Sequence, residues 1–410
     1  MAVAGTNTLT TDKPLVSVLL PVFNGGAHLR AAVLSILRQH YKNLEIVVIN
    51  DGSTDASLSV LTELARRDRR IRLISRESRG LVATLNEGLH AASGRLVARM
   101  DADDIAYPDR IQRQVSAFEA CPALCMVAMH ADFLFFENRI ISRRAPVISQ
   151  RGLEIRTIFG PFFIHPTVML NKDILTADNL LYREEYIYAE DFDLWRRITQ
   201  RHQVKFIREP GLAWRQGHNS IRRRHFATQC LIHAQIVGEQ LEARRIISSW
   251  QSFPQSIREG DLDGAIAVVG AARQHAVSSG ADRGEFEDAM VEFVPWLFSA
   301  LALKHSPFDI YTRMCKQGLG YLVAPRDRLW AAIARIAPSE TAFRIAEAAS
   351  DAYRYARSMR LDQAVAGFTR DGSDEMTEVS DEGDAELLDG LHRNDRGGKE
   401  DRDSHHCRLL

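Results

Sequence analysis

Residues 16–55 read VSVLLPVFNGGAHLRAAVLSILRQHYKNLEIVVINDGSTD. Val16 to Val22 is apolar almost throughout, the signature of a strand buried on both faces. The turn Asn24-Gly25-Gly26 follows, and then Leu29, Val33, Ile36 and Leu37 recur at three- and four-residue intervals, as on the inner face of a helix. A second apolar run, Leu44 to Ile49, closes on Asn50-Asp51-Gly52-Ser53. Thr54 or Asp55 can cap the next helix, whose inner face carries Leu58, Leu61, Leu64 and Ala65. Strand, helix, strand, helix with apolar strands predicts an α/β fold, a mostly parallel sheet with helices on both faces.

The pattern continues with a third strand (Ile71 to Ile74), a helix (Leu81 to Ala92) and a fourth strand (Arg95 to Met100). Three polar clusters fall at strand ends: Pro21-Val22-Phe23-Asn24, Asn50-Asp51-Gly52-Ser53 and Asp101-Ala102-Asp103-Asp104. Parallel strands bring all three to one rim, the side on which such sheets bind ligands.

From His225 to about Leu361 the chain is rich in Ala, Arg and Leu and helical in pattern. Pro254, Pro307 and Pro325 are read as helix boundaries, and no repeat period stands out. Beyond Gly367 the sequence turns acidic, then rich in Gly, Asp and Arg. The expected organisation is a flexible start (1–14), an α/β domain (15–225), a helical region (226–365) and a disordered tail (366–410).

The 410 residues are 45% hydrophobic and 26% charged, normal for a globular protein with a sizeable core. A net charge of −1 favours neither nucleic acid nor an anionic surface as partner. The run Arg222-Arg223-Arg224 is read as a solvated helix end or a phosphate contact rather than a nucleic-acid site. With Arg244 and Arg245 it could instead meet anionic lipid headgroups. Cys121, Cys125, Cys230, Cys315 and Cys407 are odd in number and lack metal-type spacing, which suits a reducing compartment, and Cys121 and Cys125, four apart, are read as buried thiols rather than a Zn site. No signal peptide is visible, and Pro295 interrupts the apolar run Phe293 to Leu303, which falls short of the roughly 20 residues a membrane span needs. The expectation is a cytoplasmic protein, peripheral at most to the inner membrane face.

Carboxylates as dense as Asp101, Asp103 and Asp104 repel one another unless a cation intervenes. A divalent ion held by Asp103 and Asp101 would retain positions for phosphate oxygens. Alternatively these side chains only cap the helix that starts near Asp109. Asp51 could accept from a base N–H or a ribose hydroxyl, or could be a turn residue. Glu190 and Asp191 open an amphipathic helix, where the dipole favours acids. From there either could take a proton from an attacking hydroxyl, Asp191 ahead of Glu190. His165 lies in the apolar stretch Phe159 to Leu170 and is read as a core residue or a cleft contact for phosphate or acceptor. Arg215 and His218 could meet pyrophosphate or metal, or lie on a surface loop.

Taken in order, several stretches resemble a family 2 glycosyltransferase of the GT-A fold over residues 15 to about 220. They are Val16 to Asn24, Ile49 to Asp55, Gly94 to Asp104, Pro108-Asp109-Arg110, His165-Pro166 and Ala189 to Trp195. The resemblance implies an inverting transferase using a nucleotide-diphospho-sugar donor in one displacement. It implies that Pro21 and Phe23, with Asn24 beside them, line the donor's nucleoside pocket and that Asp51 binds the base. Asp101 would contact ribose or sugar, Asp103 would ligate Mn²⁺ or Mg²⁺, and Asp191 would be the general base.

Asn50 stands where many members carry Asp, and Leu85 where many carry Arg, a contact Arg79 could supply instead. No Gln-x-x-Arg-Trp motif of processive synthases follows residue 191, which implies single additions. The expected acceptor is a glycan or a lipid-linked glycan in surface polysaccharide synthesis. Two other readings are a non-catalytic nucleotide-sugar-binding scaffold and a nucleotidyltransferase. The latter wants a Gly-rich phosphate loop, and Asn24-Gly25-Gly26-Ala27-His28 is short and lacks its basic residue.

Overall fold

The computed structural model describes residues 13–135, 139–142, 145–216, 225–278, 283–323, 328 and 331. The first strand, β1 (Val16–Val22), alternates its side chains between two cores, as strand geometry requires. Val16, Val18, Leu20 and Val22 join Leu29, Val33 and Ile36 of α1 (Leu29–Leu37) and Leu61 and Leu64 of α2 (Ser57–Arg67). Leu19 instead joins Val47 and Ile49 of β2 (Leu44–Asp51) and Val82, Leu85 and Leu89 of α3 (Leu81–Ala91). Helices therefore cover both faces of this part of the sheet, as the apolar runs predict.

β1 pairs in parallel with β2 and with β4 (Leu96–Arg99), and β2 pairs in parallel with β3 (Ile71–Arg76). Strands two and three run two residues further than the apolar runs indicate, ending on Asp51 and Arg76.

Past β4 the pairing changes. The remaining strands are β5 (Ile105–Ala106), β6 (Leu124–Leu134), β7 (Ile140–Ile141), β8 (Val168–Asn171) and β9 (Gln203–Arg215). The nine-stranded sheet has the order β3-β2-β1-β4-β8-β6-β9-β5, with β7 on β6. β8 is antiparallel to both β4 and β6, while β6 and β9 are parallel. Trp214 and Arg215, read as possible loop residues, lie in β9. Helices α4 (Arg110–Ala120), α5 (Gln150–Phe159), α6 (Lys172–Ala177) and α7 (Glu190–Thr199) connect these strands.

Among the described residues five α-helices follow: α8 (Phe226–Ala243), α9 (Ser252–Glu259), α10 (Leu262–Ser278), α11 (Arg283–Leu301) and α12 (Pro307–Lys316). Pro307 opens α12 behind the cap Ser306, whose side chain accepts from the Phe308 amide. Pro254 lies in the first turn of α9, where the missing N–H costs little. Pro295 does not interrupt the chain: α11 runs through it. Pro325 lies outside the described residues. Ile236, Val237, Ile266, Phe293 and Phe298 share one core with Ile155 and Phe159 of α5 and Phe192 of α7. Cys125 is buried in β6, and Cys121 follows α4. Among the described residues no helix is long and apolar enough to cross a membrane.

Candidate active site

Because β2, β1 and β4 are adjacent and parallel, the loops that follow them leave the same rim of the sheet. The first two are stitched together. The amides of Asn24, Gly25 and Gly26 donate to Ser53 Oγ (3.0 Å), Ser57 Oγ (2.9 Å) and Asp55 Oδ2 (3.0 Å). Asn24 Oδ1 accepts from the Thr54 amide at 2.8 Å. Asn24 is thus occupied in holding the loops, with its backbone in the left-handed region (φ 51°). Phe23 is 56% exposed, a large apolar ring on the rim that a stacking partner would cover. Pro21, two residues earlier in β1, is half-buried.

Asp51, 5% exposed, does not point outward unpaired. Its Oδ1 accepts from Arg76 and from the Arg79 amide (2.8 Å), and its Oδ2 from Ser78 Oγ (3.1 Å) and the Gly80 amide (3.0 Å). Burial raises this carboxyl, but the Arg79, Arg76 and Ser78 hydrogen bonds outweigh it and hold the group below its ordinary range. Arg79 contributes its amide here, and its side chain is exposed. Gly52 makes the approach possible. At φ +71° it suits glycine, and a Cβ there would lie 2.7 Å from the Ser78 nitrogen.

The third loop carries the acidic cluster. Ligand atoms of Asp101, Asp103 and Asp104 all lie within 4.8 Å of one another. Asp103 faces solvent, Asp101 is half-buried and Asp104 is fully buried. Asp104 Oδ1 accepts from the Arg215 amide at 2.8 Å, while Oδ2 is buried with no hydrogen-bond partner. Arg215 Nε donates to the Asp103 carbonyl at 2.8 Å, so this arginine braces the acidic loop. Although one side of Asp103 is open to water, the surrounding chain desolvates its carboxyl and, with the charge of Asp101, pushes it up to about 6. Burial and then its two acidic neighbours raise Asp104 well above the usual range. Three hard oxygen ligands under mutual repulsion, one with a stranded buried oxygen, suit a divalent cation.

Behind the cluster lies Arg99, the last residue of β4. It is 4% exposed, with one N–H on Asp101 Oδ1 (2.6 Å) and its Nε and Nη1 without partners. Its charge pulls down the carboxyls of both Glu190 and Asp191, which open α7. Burial nevertheless pushes Glu190 up to about 7, with Asp191's charge adding to it. Burial likewise pushes Asp191 up to about 6, against a 2.7 Å hydrogen bond from the Phe192 amide. Two sets of carboxylates, after β4 and at the start of α7, thus flank one buried guanidinium.

His165 takes its core alternative. It is 8% exposed, its Nε2 lies 2.8 Å from Tyr182 Oη, and its ring meets Trp195 edge-on. Burial, and then Arg99, lower its pKa well below the usual value. His218 and Arg222-Arg223-Arg224 lie outside the described residues. Sequence reasoning missed Arg76, Arg99 and the stranded oxygen of Asp104. A lone arginine inside an otherwise apolar strand, two residues ahead of an acidic triplet, is the signal that could have found Arg99. A groove of about 810 Å³ lined by Arg113, Lys205 and Arg208 contains none of these carboxylates.

The α/β sheet, whose parallel strands end on one rim with an acidic triplet after β4, is of the GT-A class. Residues 17–178 match the model of glycosyl transferase family 2. A Haemophilus influenzae protein named "Uncharacterized glycosyltransferase" is 35% identical over 204 residues, covering 48% of this chain and 80% of that protein. A second protein of that name and organism is 33% identical over 197 residues, covering 46% of this chain and 61% of its own length. The chain thus spans about three-fifths of that second relative. Among solved structures, S. aureus TarS 1–349 in complex with UDP-GlcNAc aligns with a TM-score of 0.48 at 12% identity, over 74% of this chain and 88% of that one. The chain belongs to glycosyl transferase family 2.

Proposed function

We propose that this protein is an inverting glycosyltransferase. The acceptor hydroxyl oxygen attacks the anomeric carbon of a nucleotide-diphospho-sugar. The bond from that carbon to the β-phosphate oxygen breaks, the nucleoside diphosphate departs, and the hydroxyl proton passes to a carboxylate of the enzyme. Asp191 is that base, with Glu190 beside it, since burial places its carboxyl near the operating pH. Asp101, Asp103 and Asp104 would hold Mn²⁺ or Mg²⁺. Such an ion, when bound, draws charge from the departing diphosphate. Phe23 and Pro21 offer the nucleoside an apolar face, and Asp51 shapes the neighbouring turn. Residues 15–225 form the transferase portion, making single additions to a glycan or lipid-linked glycan, with the helices after it as an extension. Its site is the cytoplasm.

The observation that carries this reading is the acidic triplet, its ligand atoms within 4.8 Å of one another and one buried Asp104 oxygen without a hydrogen-bond partner. The test is a panel of UDP-, GDP- and dTDP-sugars with and without Mn²⁺, followed by thermal shift and donor hydrolysis. At least one donor should raise the melting temperature only when Mn²⁺ is present, by mass action. If no donor binds or turns over, the proposed activity is wrong.

A further inference from the structure

Tyr188, two residues before Glu190, has φ 72°. Side chains with a Cβ avoid that left-handed region, and a bulky aromatic there is an outlier that persists only where its surroundings impose it. Two groups do so. The Tyr188 ring stacks on His225, with centroids 4.1 Å apart and planes 9° from parallel. Gln229 Nε2 donates to the Tyr188 carbonyl at 2.8 Å. His225 caps α8 and Gln229 lies in its first turn, so the restraint comes from the helical extension rather than from the sheet.

The same face of α8 continues along α7. His233 packs on Phe192 with centroids 4.8 Å apart, Glu239 Oε2 accepts from Arg196 Nη2 at 2.7 Å, and Gln240 meets Gln200. Residues 192, 196 and 200 follow 188 at four-residue intervals, so α8 lies against α7 from its approach to its end. The turn at Tyr188 decides where the first residues of α7 emerge. The Ala189 carbonyl then accepts from the Asp193 amide at 3.0 Å to start the helix.

We propose that His225 and Gln229 are positioning residues: they hold Tyr188 in its left-handed turn and so fix where Glu190 and Asp191 enter the cleft. The importance of that placement rests on the reading of Asp191 as base. Displacing reacting groups by about 1 Å can cost about a hundredfold in rate, so a loosened turn would matter even with the fold intact.

Hydrogen exchange on the full chain, without ligand, tests this. His225→Ala and Gln229→Ala should speed exchange of the amides at 189–193, while exchange in β1 and β2 and the melting temperature stay as in the unmodified protein. His225→Phe, which keeps a ring over Tyr188, should leave exchange at 189–193 slow. Unchanged exchange in both alanine variants, or exchange in His225→Phe as fast as in His225→Ala, overturns the proposal. A loss that spreads through the whole chain also overturns it, since the role would then be merely structural. None of these readouts involves substrate. Asp191→Asn in a transfer assay tests the base assignment separately.

Discussion

Asp191 carries its proton to about pH 6 because burial disfavours the charge, against an ordinary value of 3.8. A base works only when ionised, so the transfer rate should rise with pH through about 6 and level off above it. A rate independent of pH between 5 and 7 would speak against this residue. Stability has the opposite sign. The raised carboxyl binds its proton more tightly in the folded state, so its cost is complete above about pH 6, shrinks as pH falls, and is gone below its ordinary 3.8. Asp191→Asn should therefore abolish transfer, keep donor binding, and melt higher than the parent at pH 7.5, with the gap narrowing toward pH 4. Asp103→Asn should raise the melt in EDTA at neutral pH, since its carboxyl is also held above its ordinary range, and remove the Mn²⁺-dependent rise. Donor-independent Mn²⁺ stabilisation in that variant would place the ion elsewhere. The acidic triplet was legible in the sequence because three aspartates in four residues exceed what one helix cap needs. Arg76 was not, since its partners Asp51, Thr84 and Glu87 are brought to it only by the fold.

On α7, Asp193 is fully buried among three guanidiniums. Arg183 Nε donates to it at 2.9 Å, Arg196 Nε at 3.1 Å and Arg197 Nε at 2.9 Å. Burial raises its carboxyl, but these partners, Arg183 first, hold it below its usual range. Asp193→Ala would take the shared partner from buried Arg196, from Arg197 and from the partly exposed Arg183, at a cost of about 1–3 kcal/mol. Urea denaturation should show that loss. On α3, a Cβ at Gly88 would come within 2.0 Å of Leu19 Cδ1. Gly88→Ala should therefore cost about 1–3 kcal/mol by overpacking, against the usual benefit of alanine in a helix. The strand–helix alternation through β4 is legible because consecutive elements pack on one another. The later strands are not. β8 is four residues inside a longer apolar stretch, which periodicity cannot tell from helix. β9 contains Pro210-Gly211, ordinarily a turn signal, and survives because the β6–β9 ladder shifts register there.

For the molecule as a whole, the core of the helical region is also the core beneath α5 and α7. A chain ending at residue 216 would expose Ile155, Phe159 and Phe192, all at most 2% exposed in the intact protein. It should bind a dye for apolar surface and lose its cooperative melt, as seen by differential scanning calorimetry. A sharp melt equal to that of the full chain would refute the shared core. The helical character after residue 225 was legible from composition, but its partner was not, because an apolar stripe does not say which surface it will cover. The shared core also has a consequence for synthesis on the ribosome. After the last residue of α7 is made, about a hundred more must follow before Phe293 and Phe298 exist, and at about 5–20 residues per second that is roughly 5 to 20 s. Throughout that interval the nascent chain presents a sticky half-built face, and chaperone capture of an arrested chain should peak for stalls between residues 200 and 290.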